Sequence, residues 1–379
     1  MPGSDRGRAT SDRETEGRCA LADVALAALG SGSRESGGSV RGSSPTINDV
    51  ARVAGVSKKT VSRVINDSPL LRVETRQRVE LAIAELGFVP NLQARGLAMG
   101  HNSLIGLIHD NPNSQMVLGV QQGILEAIRD TDFALVVRPV DRGSPGMMDD
   151  VRRFLERQRL FGVMLLPPIS ENDLLARHCA ELGCRYVRMG SARLDADAHC
   201  VSSNDAEAVA AATRHLIVRG HRRIGLVAGP HGFRSAKERR AGFEAALNEA
   251  NVALPRSLIA QGDYRFDSGV IAGSRLLDQV PPPTAIFACN DEMAAGVLHA
   301  ARQRDLAVPR DLSIIGFDDT PIAAHVWPPL TTVRWPIQAM GQAAARKLLD
   351  GSSDAPAPPS VFPSKLIVRG SVADLEVGP

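Results

Sequence analysis

Apolar residues recur at helical spacing on either side of Gly55, in the stretch VARVAGVSKKTVSRVIN that runs from Val50 to Asn66. The recurring positions are Val50, Val53 and Ala54 before the glycine, and Val61, Val64 and Ile65 after it. Gly55 stands where a helix would end and Ser57 where the next would begin, because glycine and serine favour those cap positions. The pattern predicts two short helices joined by a tight turn, the second with positive charges and hydroxyls on its outer face.

A third helix is predicted from about Glu74 to Leu86, stopped by Gly87, and Thr46 is expected to cap the first helix. Residues 46–90 are therefore interpreted as a compact three-helix headpiece. The following linker, residues 91–103, contains NLQARGLAMG, which is shorter than the roughly 12–15 residues that an isolated helix needs in water. We expect this linker to become ordered only when something packs against it.

From Leu104 onward the pattern changes to short apolar runs that alternate with helical segments. The runs are LIGLI, ALVVR, GVMLL, CRYVRM, RIGLVAG, AIFACN and SIIGF, with a last strand, LIVRGSV, near the end. Alternation of this kind predicts doubly wound α/β structure built on parallel sheets. A segment of this length, residues 104–373, is large for one such sheet, so two lobes are predicted.

Polar residues follow several of the predicted strands. They are HDN at 109–111, GSAR at 190–193, GPHGF at 229–233, CND at 289–291 and GFDD at 316–319. Ligands of open parallel sheets bind beyond the carboxyl ends of the strands, so these residues predict a polar cleft.

Composition and charge narrow the classes of protein. The 379 residues are 44% hydrophobic and carry a formal net charge of +2, which is typical of a globular protein. Residues 46–100 hold eight Lys and Arg against five Asp and Glu, whereas residues 101–379 hold 30 against 31. The excess positive charge lies in the headpiece and its linker, as a contact with nucleic acid requires.

Five scattered cysteines indicate reduced thiols in a cytoplasmic protein rather than a disulfide framework. They are Cys19, Cys179, Cys184, Cys200 and Cys289, and they lack the partners that a structural zinc site needs. No metal or cofactor is expected, and no apolar run is long enough to span a membrane. Residues 1–45 are interpreted as a mostly disordered extension with a short transient helix, or as the product of a mis-assigned start codon.

The order of these parts resembles the LacI/GalR family of bacterial transcription regulators from Thr46 to about Val372. The motifs that carry the resemblance are TINDVARVAGVSKKTVSRVIN, ELGFVPNLQARGLA, CNDEMAAGVL, SIIGFDD and PPLTTV. The resemblance implies a small all-α helix-turn-helix headpiece followed by a two-lobed α/β domain like a periplasmic binding protein. Lobe 1 is then expected at about 104–200 and 335–359, and lobe 2 at about 201–334 and 360–373.

For the headpiece, the resemblance implies that the second helix lies in the major groove of DNA. Lys58, Lys59 and Arg63 occupy base-reading positions, where a cation can pair with guanine O6 and N7. Thr60, Ser62 and Asn66 are expected at phosphate oxygens, which fix the register without reading sequence.

The resemblance also implies that the linkers of two subunits pair in the minor groove and fold on DNA. Leu97 then wedges between base steps, with Asn91 and Arg95 contacting the groove and the backbone. Gly96 departs from the family pattern and predicts a hinge helix less stable than usual, because glycine disfavours helix.

For the second domain, the resemblance implies a small effector bound between the lobes. Asn290 and Asp318 match family positions that hydrogen-bond ligand hydroxyls, and Lys237 falls where many members have a clamping arginine. Asp110 and Arg193 are candidate partners from the other lobe. Phe233, Trp327 and Trp335 could each stack on a sugar or pack in the core or between the lobes.

The leading hypothesis is a homodimeric repressor whose affinity for a pseudo-palindromic operator is controlled by a mono- or disaccharide. A nucleotide-dependent enzyme is one alternative, but LIGLIHDNPNSQ lacks the glycine loop that cradles phosphate. A pure sugar-binding transport protein is the other, and the headpiece argues against it. No leucine-rich heptad tail follows Val372, so dimers rather than tetramers are expected.

Overall fold

The computed structural model describes residues 45–65, 68, 71–89, 103–350 and 360–375. The chain forms two compact units, Met1–Pro90 and Asn91–Pro379. The predicted linker at 91–102 and the extension at 1–44 lie outside the described residues.

The described residues of the small unit form three helices, which are α1 (Ile47–Ala54), α2 (Lys58–Ile65) and α3 (Val73–Leu86). The backbone N–H of Thr46 donates to the Asp49 carboxylate (3.0 Å), which satisfies one donor that the first turn leaves open. A small apolar core joins the helices; its buried residues are Val50, Ala51, Ala54, Val61, Val64, Val79 and Ala82. The predicted three-helix arrangement is confirmed, with α3 beginning one residue earlier than expected.

The larger unit contains two sheets of six strands each. The first has the order β11-β5-β4-β3-β1-β2 and is parallel throughout. Its strands are β1 (Leu104–His109), β2 (Ala134–Pro139), β3 (Gly162–Leu165), β4 (Arg185–Gly190), β5 (Cys200–Ser203) and β11 (Val361–Phe362). In its central register Ile105 pairs with Leu135 on one side and Gly162 on the other.

The second sheet has the order β12-β10-β9-β8-β6-β7, and only its edge strand β12 runs antiparallel to its neighbour. Its strands are β6 (Ile224–Ala228), β7 (Ile259–Gln261), β8 (Ala285–Ala288), β9 (Ser313–Asp318), β10 (Thr331–Arg334) and β12 (Lys365–Ile367). Strands β6, β8 and β9 are buried along their whole length, which explains why they appear in the sequence as unbroken apolar runs.

Helices cover both sheets. Those of the first lobe are α4 (Ser114–Ile128), α5 (Met147–Gln158), α6 (Asp173–Glu181) and α12 (Ile337–Leu349). Those of the second lobe are α7 (Asp205–Val218), α8 (Arg234–Glu249), α9 (Phe266–Leu277), α10 (Asp291–Arg302) and α11 (Pro321–His325). The doubly wound α/β class that the alternation predicted is therefore observed.

The chain passes between the sheets at points slightly different from those expected. Strand β5 continues to Ser203 and β11 to Phe362, so the first and third crossings fall a few residues after 200 and 360. Both strands are short, and their pairing with the first sheet is a tertiary contact rather than a local pattern. The last strand is also shorter than LIVRGSV, since β12 ends at Ile367, and the Ser371 hydroxyl beyond it donates to the Ile314 carbonyl.

A buried carboxyl group gives the second lobe a predicted pH dependence. Asp291 accepts hydrogen bonds from the Thr320 N–H (2.7 Å) and the Thr332 hydroxyl (2.5 Å), yet burial raises its pKa from 3.8 to about 7. A raised pKa means that the folded state binds this proton more tightly than the unfolded chain. Its contribution to the free energy of unfolding is therefore fully present below the unfolded pKa and is lost as the pH rises towards about 7.

We expect Asp291→Asn to reduce the loss of stability between roughly pH 4 and 7 by on the order of 1 kcal/mol or more. Urea unfolding of both proteins across that range measures the difference. An unchanged slope in the variant would show that Asp291 does not titrate in this window.

Candidate functional site

The turn between α1 and α2 has the geometry that its sequence predicts. Gly55 has φ +64°, a conformation that favours glycine, and the Val56 N–H donates to the Ala51 carbonyl (3.0 Å) across the turn. Ser57 then accepts a hydrogen bond from the Thr60 N–H (3.1 Å) and so caps α2. The two helices are thereby held in a helix-turn-helix.

One face of α2 packs in the headpiece core and the opposite face points outward. Val61 and Val64 are buried, whereas Lys58, Lys59 and Arg63 are exposed. Thr60 and Ser62 are half-buried at the edge of this face, and the Thr60 hydroxyl lies 2.9 Å from the Ser57 hydroxyl. The cations are thus displayed on the side of α2 that faces away from the core.

Four of the predicted DNA contacts lie outside the described residues. These are Asn66, Asn91, Arg95 and Leu97. Their roles remain predictions.

A cleft opens in the larger unit at the carboxyl ends of the strands. It encloses about 460 Å³ of space not occupied by atoms, with open solvent at its mouth included. The first lobe contributes Asn111, Pro112, Asn113, Met116, Pro167 and Pro168, and the second lobe and the crossing segment contribute Phe233, Ser235, Arg239, Tyr264, Asn290, Asp318 and Trp335.

Arg239 is the cation of this cleft. Its Nε donates to an Asp205 carboxylate oxygen (2.9 Å), its Nη1 donates to the Cys289 carbonyl (2.5 Å), and its Nη2 lies 3.5 Å from Asp318 Oδ1. The guanidinium carbon also lies 3.6 Å from the centre of the Phe317 ring. These contacts fix the position of the guanidinium in the wall of the cleft.

Close packing of two helices places Arg239 beside Asp205. A Cβ on Gly242 would stand 2.0 Å from the Ala206 carbonyl oxygen, so only glycine allows α8 to approach the start of α7 this closely. Asp205 is fully buried and also accepts a hydrogen bond from the Ser203 hydroxyl (2.5 Å).

The same network reaches a second crossing segment. Trp335 Nε1 donates to the Ser203 hydroxyl (2.7 Å), and the Trp335 ring lines the cleft. Ser203 and Trp335 are the residues at which the chain leaves the first sheet and returns to that lobe. Hydrogen bonds thus connect the wall of the cleft with two of the segments that join the lobes.

Asp318 and Asn290 line the cleft as expected. Asp318 has φ +107°, an uncommon backbone for an aspartate, and burial raises the pKa of its carboxyl group well above the ordinary value. Asn290 caps α10 through a bond from the Met293 N–H (3.0 Å), and its amide donates to the Tyr264 carbonyl (2.9 Å). Asn290 therefore lines the cleft and also joins the start of α10 to the Tyr264 backbone in its wall.

Four predicted effector contacts do not line the cleft. Arg193 is exposed and pairs with Asp197 (3.3 Å), because the turn after β4 carries it outward. Trp327 is 76% exposed on the loop before β10. Lys237 is exposed because it lies on the outer face of α8. Asp110 is turned into its own lobe, where it pairs with Arg142 (3.2 Å) and accepts a hydrogen bond from the Ile169 N–H (2.9 Å).

Within the motif FRSAKERRAGF, Arg239 lines the cleft and Lys237 does not. The inward face of α8 consists of Ser235, Ala236, Arg239, Gly242, Phe243, Ala246 and Leu247. Helical spacing back from Phe243 to Arg239 and Ser235 was the signal that could have found it. Among the tryptophans, Trp335 and not Trp327 faces the cleft, and Phe233 lines it as predicted.

A helix-turn-helix with outward cations, together with a two-lobed α/β domain around a cleft, defines a class of DNA-binding regulators that sense small molecules. The model for bacterial regulatory proteins of the lacI family matches residues 46–91, and that for a periplasmic binding protein-like domain matches residues 213–372. The transcriptional regulator CelR of Thermobifida fusca is 35% identical over 315 residues, which cover 81% of this chain and 91% of that protein.

Other relatives and solved structures agree. The transcriptional repressor PurR of Escherichia coli O1:K1 / APEC is 36% identical over 87% of this chain and 97% of its own. A lac repressor dimer bound to operator and the anti-inducer ONPF superposes with a TM-score of 0.76 at 28% identity, over 87% of this chain and all of that one. A CelR–cellobiose complex gives a TM-score of 0.64 at 33% identity, over 86% of this chain and 99% of that one.

The chain belongs to the LacI family of bacterial transcriptional regulators. It is a DNA-binding transcriptional regulator. In the part of the chain that the structure describes, no helix has the length and apolar character needed to cross a bilayer.

Proposed function

We propose that the protein is a cytoplasmic repressor that binds a pseudo-palindromic operator as a homodimer and is controlled by a small sugar in the cleft of its larger unit. The observation that carries the proposal has two parts. The capped helix α2 displays cations on its outward face, and residues of the cleft are hydrogen-bonded to the segments that join the lobes. Two relatives support it, one described as a dimer on operator DNA and the other as a complex with cellobiose.

Lys58, Lys59 and Arg63 are assigned to the base edges of the major groove. Their exposure and their position in the first turns of α2 are what base reading requires. Thr60 and Ser62 lie at the edge of the same face and are assigned to phosphate. Asn66, Asn91, Arg95 and Leu97 remain part of the proposed interface as sequence predictions, with residues 91–103 as the hinge.

In the cleft, Arg239 and Asp318 are assigned to ligand hydroxyls. A carboxylate that accepts from a hydroxyl and a guanidinium that donates to one make charge-assisted hydrogen bonds, which are the stronger kind. Phe233, Tyr264 and Trp335 supply aromatic walls against which the C–H face of a sugar can pack.

The signal is proposed to travel from the cleft to the lobe crossings. A ligand that engages Arg239 and Asp318 changes the balance of contacts around Asp205, Ser203 and Trp335. Because two crossing segments end in this network, one lobe arrangement becomes favoured, and operator affinity changes with it.

Dimerisation is supported by an apolar stripe on α4. Leu118 and Leu125 stand two turns apart on one face and are 46% and 52% exposed. Exposed leucines at this spacing favour a partner surface, and a two-fold dimer matches a palindromic operator.

Replacing Thr60 with valine tests the phosphate assignment. The change removes a hydroxyl and keeps the shape, so operator binding should weaken about three- to tenfold, and binding to unrelated duplexes should weaken equally. Fluorescence anisotropy with both duplexes measures the two affinities. A loss confined to the operator would show that Thr60 reads sequence instead.

A thermal-shift screen of sugars tests the ligand assignment. A sugar present at about 100 times its dissociation constant should stabilise the domain by about 2.7 kcal/mol and change operator affinity in the same preparation. A sugar that binds without any effect on operator affinity would contradict the proposed control.

A further inference from the structure

The cations at the cleft form salt bridges with carboxylates of the same chain. Arg239 is shared between Asp205 and Asp318, and both carboxylates are almost completely buried. Arg142, whose guanidinium stands over the ring of the cleft residue Phe233, pairs with Asp110 at 3.2 Å. Neither guanidinium is left as an uncompensated positive charge for an anionic ligand.

The backbone N–H groups at the N-terminus of α8 also have a carboxylate partner, and this carboxylate belongs to the opposite lobe. Phe233 at its N-cap offers no side-chain acceptor to the first turn. Glu171, on the short turn after β3 in the first lobe, accepts a hydrogen bond from the Arg234 N–H (2.8 Å) of the second lobe, and from the Ser235 N–H as well. This sixteen-residue helix is therefore capped from across the cleft.

The Glu171 contact lies beside a second bridge between the lobes. The Arg142 guanidinium stands 4.1 Å from the centre of the Phe233 ring, the residue that precedes Arg234. First-lobe side chains thus close over the start of α8 with a planar cation and a carboxylate. Backbone N–H groups at a helix start otherwise favour phosphate or carboxylate groups of ligands.

We propose that Glu171 is a specificity-determining residue that excludes acidic sugars and sugar phosphates from the cleft, because it occupies the α8 amides that their anionic groups would use. Arg142 is already paired with Asp110, and Arg239 with Asp205 and Asp318. The inference deepens the proposed function, since it names the class of sugar that the cleft accepts.

Matched sugars test the wild-type protein. D-Glucose, D-glucuronate and glucose 6-phosphate form one set, D-galactose and D-galacturonate another, cellobiose and cellobionate a third, and inorganic phosphate is added alone. Isothermal titration and thermal shift of the full chain should detect binding only among the neutral members. An acidic member that binds more tightly than its neutral counterpart overturns the proposal.

Glu171→Ala should create an anion site where the wild type has none. Binding of inorganic phosphate or of the acidic sugars should strengthen about tenfold or more, as charge at a helix N-terminus allows. Glu181→Ala is the matched control, since Glu181 is a 72% exposed glutamate of the same lobe and its loss changes the net charge equally. Equal anion binding by the two variants overturns the proposal.

The variant must be folded for the comparison to count, and a cooperative urea unfolding transition monitored by the fluorescence of Trp327 and Trp335, both in the larger unit, reports this. Glu171→Gln provides a second variant, since it keeps an acceptor for the Arg234 N–H and loses only the charge. It should show a smaller gain for anions than Glu171→Ala. Suppose that no neutral sugar binds the wild type but Glu171→Ala still binds anions more tightly than the wild type does. The proposal of a sugar effector is then wrong, whereas the proposed role of Glu171 in excluding anions is supported.

Discussion

Replacing Arg63 with alanine is expected to lower the preference for the operator over a duplex with one altered half-site by about 10- to 100-fold. A guanidinium that pairs with guanine O6 and N7 contributes about 1–3 kcal/mol of discrimination between bases. Arg63 is exposed on the outward face of α2, two residues after the buried Val61, so its removal leaves the headpiece core intact. Selection from a random duplex pool, followed by anisotropy on the selected and altered sites, measures the preference.

Arg52→Ala is the control for this result. Arg52 is an exposed arginine of α1 that pairs with Asp49 within the same helix, so its loss removes the same charge from the same unit. It should weaken binding to every duplex without changing the selected sequence. If Arg63→Ala selected the wild-type site with undiminished preference, Arg63 would not read bases.

Arg239→Met is expected to destabilise the larger unit by about 3–5 kcal/mol and to abolish the response to effector. The change leaves Asp205 and Asp318 buried without their shared cation, and a buried charge that loses its partner is costly. Urea unfolding monitored by tryptophan fluorescence measures the stability. Effector titrations of operator binding measure the response.

Arg240→Met is the matched control, one residue further along α8. Arg240 is half exposed and pairs with Glu244 on the helix surface (2.6 Å), so its loss should cost less than about 0.5 kcal/mol. Lys237→Met should also retain the effector response, because Lys237 points outward. A variant at Lys237 that lost the response while Arg239→Met kept it would restore the sequence-based assignment.

Several elements could be predicted from the sequence because their signal is local. The turn at Gly55 and the cap at Ser57 follow from the preferences of single residues, and both are observed. Strands such as β6 and β9 are buried on both faces and so appear as apolar runs. Strand β5, with the sequence CVSS, is equally buried but ends in serines, and its pairing depends on partners distant in the chain.

The position of a residue at the cleft could be predicted from the sequence where the residue ends a strand, but not where a helix or loop sets its direction. Asp318 and Asn290 follow buried strands and reach the cleft. Arg193 also follows a strand, but the turn after β4 sends it to the surface. Glu171 contacts Arg234 at the start of α8 in the other lobe, 63 positions further along the chain. No local sequence pattern predicts such a contact.

The most direct measurement is the affinity of the purified full chain for duplex fragments of its own genome, titrated across ionic strength with and without sugars. We expect a palindromic site bound at least about 10³-fold more tightly than unrelated DNA, with affinity falling steeply as salt rises. An effector sugar should shift the affinity for that site alone. Equal affinity for every fragment at low salt, unchanged by any sugar, would contradict the assignment of α2 to operator reading and of the cleft to its control.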